Sequence, residues 1–126
     1  MTSEMTSEQK KAFLLLKSVI FHYHGLDDDE QAMLVETAVS LDAGQELDWV
    51  RAFIATDAYS AFDRARAYLN GLALDWDVAT RLAYLSGVWE ATNRKGYISE
   101  MEATAMLKLA KDWHIQTELM NLIRKR

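Results

Sequence analysis

The densest run of chemically capable side chains is Asp27-Asp28-Asp29-Glu30. Carboxylate oxygens are the natural ligands of hard divalent cations such as Ca²⁺ and Mg²⁺, so these four acids are candidate metal ligands. The run lacks the alternating acids, the glycine at position 6 and the bidentate glutamate at position 12 that an EF-hand loop needs. The same residues also read as the start of a helix, where acids are stabilised by the positive end of the helix dipole. In that reading Asp27 caps the free amides and Glu30, three residues on, reaches back in a capping box. The helix-start reading is the simpler of the two.

The three histidines offer less. His22 and His24 are two apart near a helix end, a spacing that sends them to different faces and disfavours a shared metal. His114 stands alone between two helices, close in sequence to Asp112, and no motif places a nucleophile beside that pair. The five glycines, at 25, 44, 71, 87 and 96, are scattered singly and form no phosphate loop. No serine elbow and no HExxH phrase occurs. No catalytic residue and no cofactor are expected, and the chain is read as non-enzymatic. Among the tryptophans, Trp89 and Trp113 fall on core stripes. Trp49 and Trp76 are less constrained and are the candidate interface anchors, since an exposed tryptophan on a helical surface suits a protein partner. For Trp76 the plainer alternative is a staple at the start of its helix.

Composition narrows the setting. The chain has 126 residues, half of them apolar, enough for one domain with a real core. It contains no cysteine, which removes disulfides, thiolate metal sites and cysteine nucleophiles. It also contains no proline, as suits a chain made mostly of helices. The net charge is −5 and the sequence pI about 5.1, so no broad footprint for nucleic acid or anionic membrane is expected. Arg64, Arg66, Lys108 and Lys111 lie on polar helix faces without interleaved aromatics and read as solvated. The polar, acidic N-terminus does not read as a secretory signal. The most apolar stretch, Phe13 to Phe21, is interrupted by Lys17 and Ser18 and is too short to span a bilayer. A soluble, cytoplasmic protein without membrane insertion is the expectation.

The elements that would position these residues are helical throughout, and period-2 alternation is absent. Seven helices are predicted. The first runs from a Thr6 or Ser7 cap to about His24, with Phe13, Leu16, Ile20 and Tyr23 on one face and Leu15 and Val19 widening it into a central helix. Gly25 ends it. The second carries Leu34, Ala38 and Leu41, and Gly44 marks the next break. The third carries Leu47, Val50 and Ile54. Asp57 caps a fourth, with Ala58, Phe62, Ala65 and Leu69 on one face, stopped by Asn70-Gly71. Asp75 caps a fifth with the stripe Val78, Leu82, Leu85 and Trp89. The sixth begins at Ser99 and buries Met106, Leu109, Ala110 and Trp113. A short seventh carries Leu119, Leu122 and Ile123 and ends in cations that favour a helix C-terminus.

The second and sixth helices match at a fixed offset of 72. Leu26 pairs with Ile98, Asp27 with Ser99, Glu30 with Glu102, Leu34 with Met106, Val35 with Leu107, Ala38 with Ala110 and Leu41 with Trp113. Each pairing keeps a physical role, whether staple, cap, box acid or core face. The expected architecture is therefore all-α, a bundle of about seven helices in one domain over residues 1–126, built from two helix–loop–helix units about a pseudo-two-fold axis.

Gly96-Tyr97-Ile98-Ser99-Glu100-Met101-Glu102, followed by Leu109-Ala110-Lys111-Asp112-Trp113-His114-Ile115, resembles the recurring phrase of the TerB-like superfamily, named for tellurite-resistance proteins. Gly25-Leu26-Asp27-Asp28-Asp29-Glu30 is similar to a shorter version of it. The resemblance implies a TerB-like helical fold and a stress- or envelope-linked setting, with no activity. The acid that precedes glycine in that family, on which a divalent-cation role there would lean, is replaced here by His24 and Lys95. The functional expectation is a helical module that binds an unknown protein partner; the alternative is a divalent-cation or small-ligand binding protein using Asp27 to Glu30.

Overall fold

The computed structural model of the chain describes residues 6–22, 28–94 and 98–124. Among them are seven α-helices and no strand: α1 (Ser7–His22), α2 (Asp28–Ser40), α3 (Gly44–Thr56), α4 (Ala61–Ala73), α5 (Val78–Asn93), α6 (Glu100–Asp112) and α7 (Gln116–Arg124). A single 3₁₀ turn, Ala58–Ser60, precedes α4. The chain divides into two compact units, residues 1–65 and 66–126, with α4 ending the first and beginning the second.

In unit 1, α1 packs on both α2 and α3. Every residue from Leu14 to Phe21 is buried, so α1 is the hydrophobic centre of that unit, as its wide apolar face predicts. Phe13, placed on the core face by periodicity, is only half-buried, and Leu14 is fully buried instead. Thr6 is the cap: its hydroxyl accepts from the Gln9 amide at 3.1 Å and the Gln9 side chain accepts from the Thr6 amide at 2.9 Å. Lys17 lies within the buried run and donates to Thr37 Oγ1 of α2 at 2.6 Å, which gives its ammonium a hydrogen-bond acceptor there.

In unit 2, α5, α6 and α7 pack on one another. Ser99 accepts from the Glu102 amide at 3.1 Å while Glu102 Oε1 accepts from the Ser99 amide at 2.9 Å, the capping box read from the sequence. Met106, Leu109, Ala110 and Trp113 are all fully buried, as predicted. The stripe of α5 is rotated from its expected position: Leu85, Val88, Ala91 and Thr92 are buried, Trp89 is half-buried and Val78 is exposed.

The two units repeat one plan. α2 and α6 begin and end 72 residues apart, and α3 and α7 begin 72 apart, while α1 and α5 are of equal length and begin 71 apart. The turn after α2 has Asp42 at φ 53°, and the turn after α6 has His114 at φ 59°. In the first, Ala43 N donates to Ala38 O at 2.7 Å and Asp42 N to Val39 O at 3.1 Å. In the second, Ile115 N donates to Ala110 O at 2.9 Å and His114 N to Lys111 O at 3.2 Å. Both are Schellman motifs, in which a left-handed residue lets two amides turn back onto the last carbonyls. Ala43 and Ile115 are each fully buried, and the carbonyl of each accepts from an amide in the first turn of the next helix, from Leu47 and Leu119 at 2.9 Å. Glu30 and Glu102, the paired first-turn acids, are 1% and 0% exposed.

Three further boundaries differ from expectation. Gly44 is the first residue of α3 and not a break. Asn70-Gly71 lies inside α4, which continues to Ala73. Asp77, not Asp75, caps α5, accepting from Thr80 N at 2.8 Å. Gly25, Gly96, His24, Tyr23 and Asp27 lie outside the described residues.

Candidate functional site

Of the candidate metal ligands, Asp28 and Asp29 are exposed in the first turn of α2 and Glu30 is buried beneath them; Asp27 lies outside the described residues. Among the described residues, no three histidine, aspartate or glutamate side chains converge in a way that could hold a metal ion. His22 is at the last turn of α1, where partial desolvation lowers its pKa below the ordinary imidazole value against the opposing pull of the Glu30 charge. His114 is exposed and serves as the left-handed residue of the second Schellman turn. Its neighbour Asp112 is engaged elsewhere.

Asp112 holds a small polar network in unit 2. Arg66 of α4 grips it with both arms, Nε to Oδ2 at 2.5 Å and Nη2 to Oδ1 at 2.9 Å. Asn70, one turn on, donates to Asp112 Oδ2 at 3.0 Å and accepts from the Trp113 indole Nε1 at 2.8 Å. The Arg66 guanidinium is the main reason the Asp112 carboxyl titrates below the usual aspartate range, with Asn70 adding to it against partial burial. This arrangement fixes the end of α6 and has no free acid or base for proton transfer. Arg66 is thus a structural tie and not a solvated charge. Arg64 is corrected in the same way within unit 1. It donates to Ser60 Oγ, Phe53 O and Asp57 O at 2.8, 3.0 and 2.7 Å and stacks over the Phe53 ring.

The two candidate interface tryptophans are each half-buried. Trp49 stacks on Phe53 with ring centres 5.4 Å apart, and the Lys11 ammonium sits 5.0 Å from its ring. Trp76 packs on Tyr84 at 4.5 Å and meets Trp113 edge-on at 5.9 Å. Around Trp76 the α4–α5 turn is clamped by one side chain. Arg81 donates to Ala73 O at 2.8 Å, Trp76 O at 3.0 Å, Leu74 O at 3.2 Å and Trp113 O at 2.9 Å. Four carbonyls on one guanidinium make a stiff turn. On that turn Leu74 is 56% exposed and Val78 46% exposed, flanking Trp76. Sequence reasoning singled out Trp76 but missed Arg81, whose role is visible only when the ends of α4 and α6 are brought together.

Unit 1 carries a cleft of about 330 Å³ between α1, α2 and α3. Leu34, Ile54, Ala55 and Ala58 form its apolar lining, and Ser18, His22, Gln31 and Arg51 its polar part. Tyr59, fully exposed, borders an adjoining hollow that shares His22 and Ala58 with the cleft. The 3₁₀ turn that presents it is set by Asp57, whose side chain accepts from the Tyr59 amide at 3.1 Å. None of the cleft's residues carried a motif, so the sequence did not mark it.

No protein-family model, no curated protein and no solved structure matches this chain. No helix among the described residues is long and apolar enough to cross a membrane.

Proposed function

We propose that the chain is a non-catalytic, TerB-like helical module that works by binding a protein partner in a stress- or envelope-linked setting. The observation that carries this reading is the α4–α5 turn. A solvated turn gains nothing from displaying apolar side chains, yet Leu74 and Val78 stand outward on either side of Trp76. Arg81 holds the carbonyls behind them in place, so a partner meets a preorganised surface and little ordering cost is left for binding. An aromatic anchor with aliphatic flanks is the usual composition of an interface centre. The cation reading of Asp27 to Glu30 finds no further donor among the described residues and is not favoured.

The test is a cross-linking comparison in cells that make the protein, using the native chain and a Leu74→Asp/Val78→Asp variant. Both positions are exposed, so the variant should melt with the native chain within about 0.5 kcal/mol. The expected result is a specific cross-linked protein that the variant loses. An identical set of cross-links from both chains would refute the assignment of this turn.

A further inference from the structure

The two units share a helical plan but treat one face of it in opposite ways. In unit 2 the face between α5 and α7 is closed: the hollow lined by Ser86, Trp89, Glu90, Leu119, Leu122 and Ile123 leaves no room for a water. In unit 1 the matching face between α1 and α3 opens into the cleft of about 330 Å³. The register explains the difference. Trp89 lies as far into α5 as Ser18 lies into α1, and Ile123 lies 72 residues after Arg51. At these two positions unit 2 has an indole and a branched alkyl group, where unit 1 has a hydroxymethyl and a guanidinium.

That choice destabilises unit 1 unless something compensates. Ser18 is 2% exposed and its Oγ is buried with no hydrogen-bond partner, not even a helix carbonyl of its own turn. Such orphaned groups are rare in folded proteins because each forfeits its hydration for nothing. Arg51 likewise makes no hydrogen bond or ion pair with the described residues. A fold that already has a filled version of this face, yet keeps an open one with an orphaned hydroxyl and a spare cation, has the features of a ligand site.

We propose that this cleft binds a small monocarboxylate with an unbranched apolar tail. The polar side chains lining it, Ser18, His22, Gln31 and Arg51, can all donate, and none is a carboxylate, so the complementary head is an anion. Arg51 supplies the charge and the planar fork that matches a carboxylate. Glu30, whose charge acts on His22, is buried in the first turn of α2 and does not line the cleft. The rest of the lining, Leu34, Ile54, Ala55 and Ala58, is aliphatic and has no ring to stack on, which suits an alkyl tail. At roughly 30 Å³ per small group the volume takes about ten non-hydrogen atoms, the size of octanoate. This assignment is independent of the partner-binding turn, which belongs to unit 2.

The test is an NMR titration of the full chain with sodium octanoate, alongside octylamine and 1-octanol. The expected result is saturable shifts at Ser18, Gln31, Arg51 and Ala55, with a Kd on the order of a millimolar for a ligand of this size. Octanol should bind at least about tenfold more weakly and octylamine should not bind there, since only the carboxylate engages a cation. Arg51→Glu, at an exposed position, should weaken octanoate at least about tenfold. Ala55→Trp, which fills the cleft as Trp89 fills its counterpart, should abolish it; if that variant does not fold, Arg51→Glu decides. No saturable shift with octanoate, equal binding of octylamine, or unchanged affinity in Arg51→Glu would each overturn the proposal.

Discussion

Replacing His114 by glycine should stabilise the protein, and the reasoning can be carried to a number. His114 sits at φ 59°, in the left-handed region, to close the Schellman turn after α6. A residue with a Cβ is held there at a cost of about 1–2 kcal/mol, which glycine does not bear. Glycine also widens the unfolded ensemble, which offsets about 0.5–1 kcal/mol of that gain. The imidazole is exposed and no hydrogen bond of its side chain is lost. The net expectation for His114→Gly is therefore a gain of about 0.5–1 kcal/mol, or about 2–4 °C in melting temperature for a chain of this length. Asp42 occupies the equivalent turn of unit 1 at φ 53°, but the short polar side chain of an aspartate eases this conformation by local hydrogen bonding, so Asp42→Gly should gain less. His114→Val, which puts a β-branched residue at the same φ, should lose at least about 1 kcal/mol. Thermal and urea melts on the three variants give the comparison. A destabilised His114→Gly, or a neutral His114→Val, would refute the assignment of strain to this turn.

Other consequences follow from packing that is already described. Gly71 is inside α4 and a Cβ built there meets nothing within 4 Å, so Gly71→Ala should stabilise by about 0.5–1 kcal/mol in a denaturant melt. Had this glycine stopped the helix, the same change would destabilise. Asp77→Ala should lower the melting temperature through the lost cap while Asp75→Ala should leave it unchanged, a contrast that reads directly in thermal melts. Arg66→Ala should cost about 1–2 kcal/mol near neutral pH, since it removes a two-armed, half-exposed grip on Asp112. The Asp112 pKa is lowered by folding, so its contribution is present above the ordinary aspartate value near pH 4 and is lost as pH falls through the depressed folded value. The Arg66→Ala and native stabilities should therefore converge in acid, and a constant gap down to about pH 2 would contradict this. Asn70→Leu strands the indole N–H of a fully buried tryptophan and should cost about 2 kcal/mol by equilibrium unfolding.

Local devices were legible in the chain because their partners lie within a turn or two. The Ser99–Glu102 box, the buried stripe of α6, the central role of α1 and the number of helices all follow from spacing of three, four and seven residues. The offset of 72 was also readable, because a cap, a box acid and a core face recur as residue types. The candidate sites were less so. Asp28 and Asp29 remain where a helix start puts them, and Trp76 is held by Tyr84 and Trp113, the second of which is 37 positions away in sequence.

What the sequence alone determined is therefore the class of structure, all-α, and the rhythm of its helices, since both rest on backbone hydrogen bonds and apolar periodicity contained within each segment. Tertiary structure decided the rest. It moved the cap of α5 from Asp75 to Asp77, because the turn after α4 runs through Asp75 to Trp76, with Arg81 collecting the carbonyls of Ala73, Leu74 and Trp76. It turned Arg64 and Arg66 from surface charges into ties, because their acceptors lie on other segments. It also left Ser18 without a partner beside an open cleft while Trp89 closes the matching face of the second unit. Those outcomes depend on which side chains meet across helices, and such meetings follow no period along the chain.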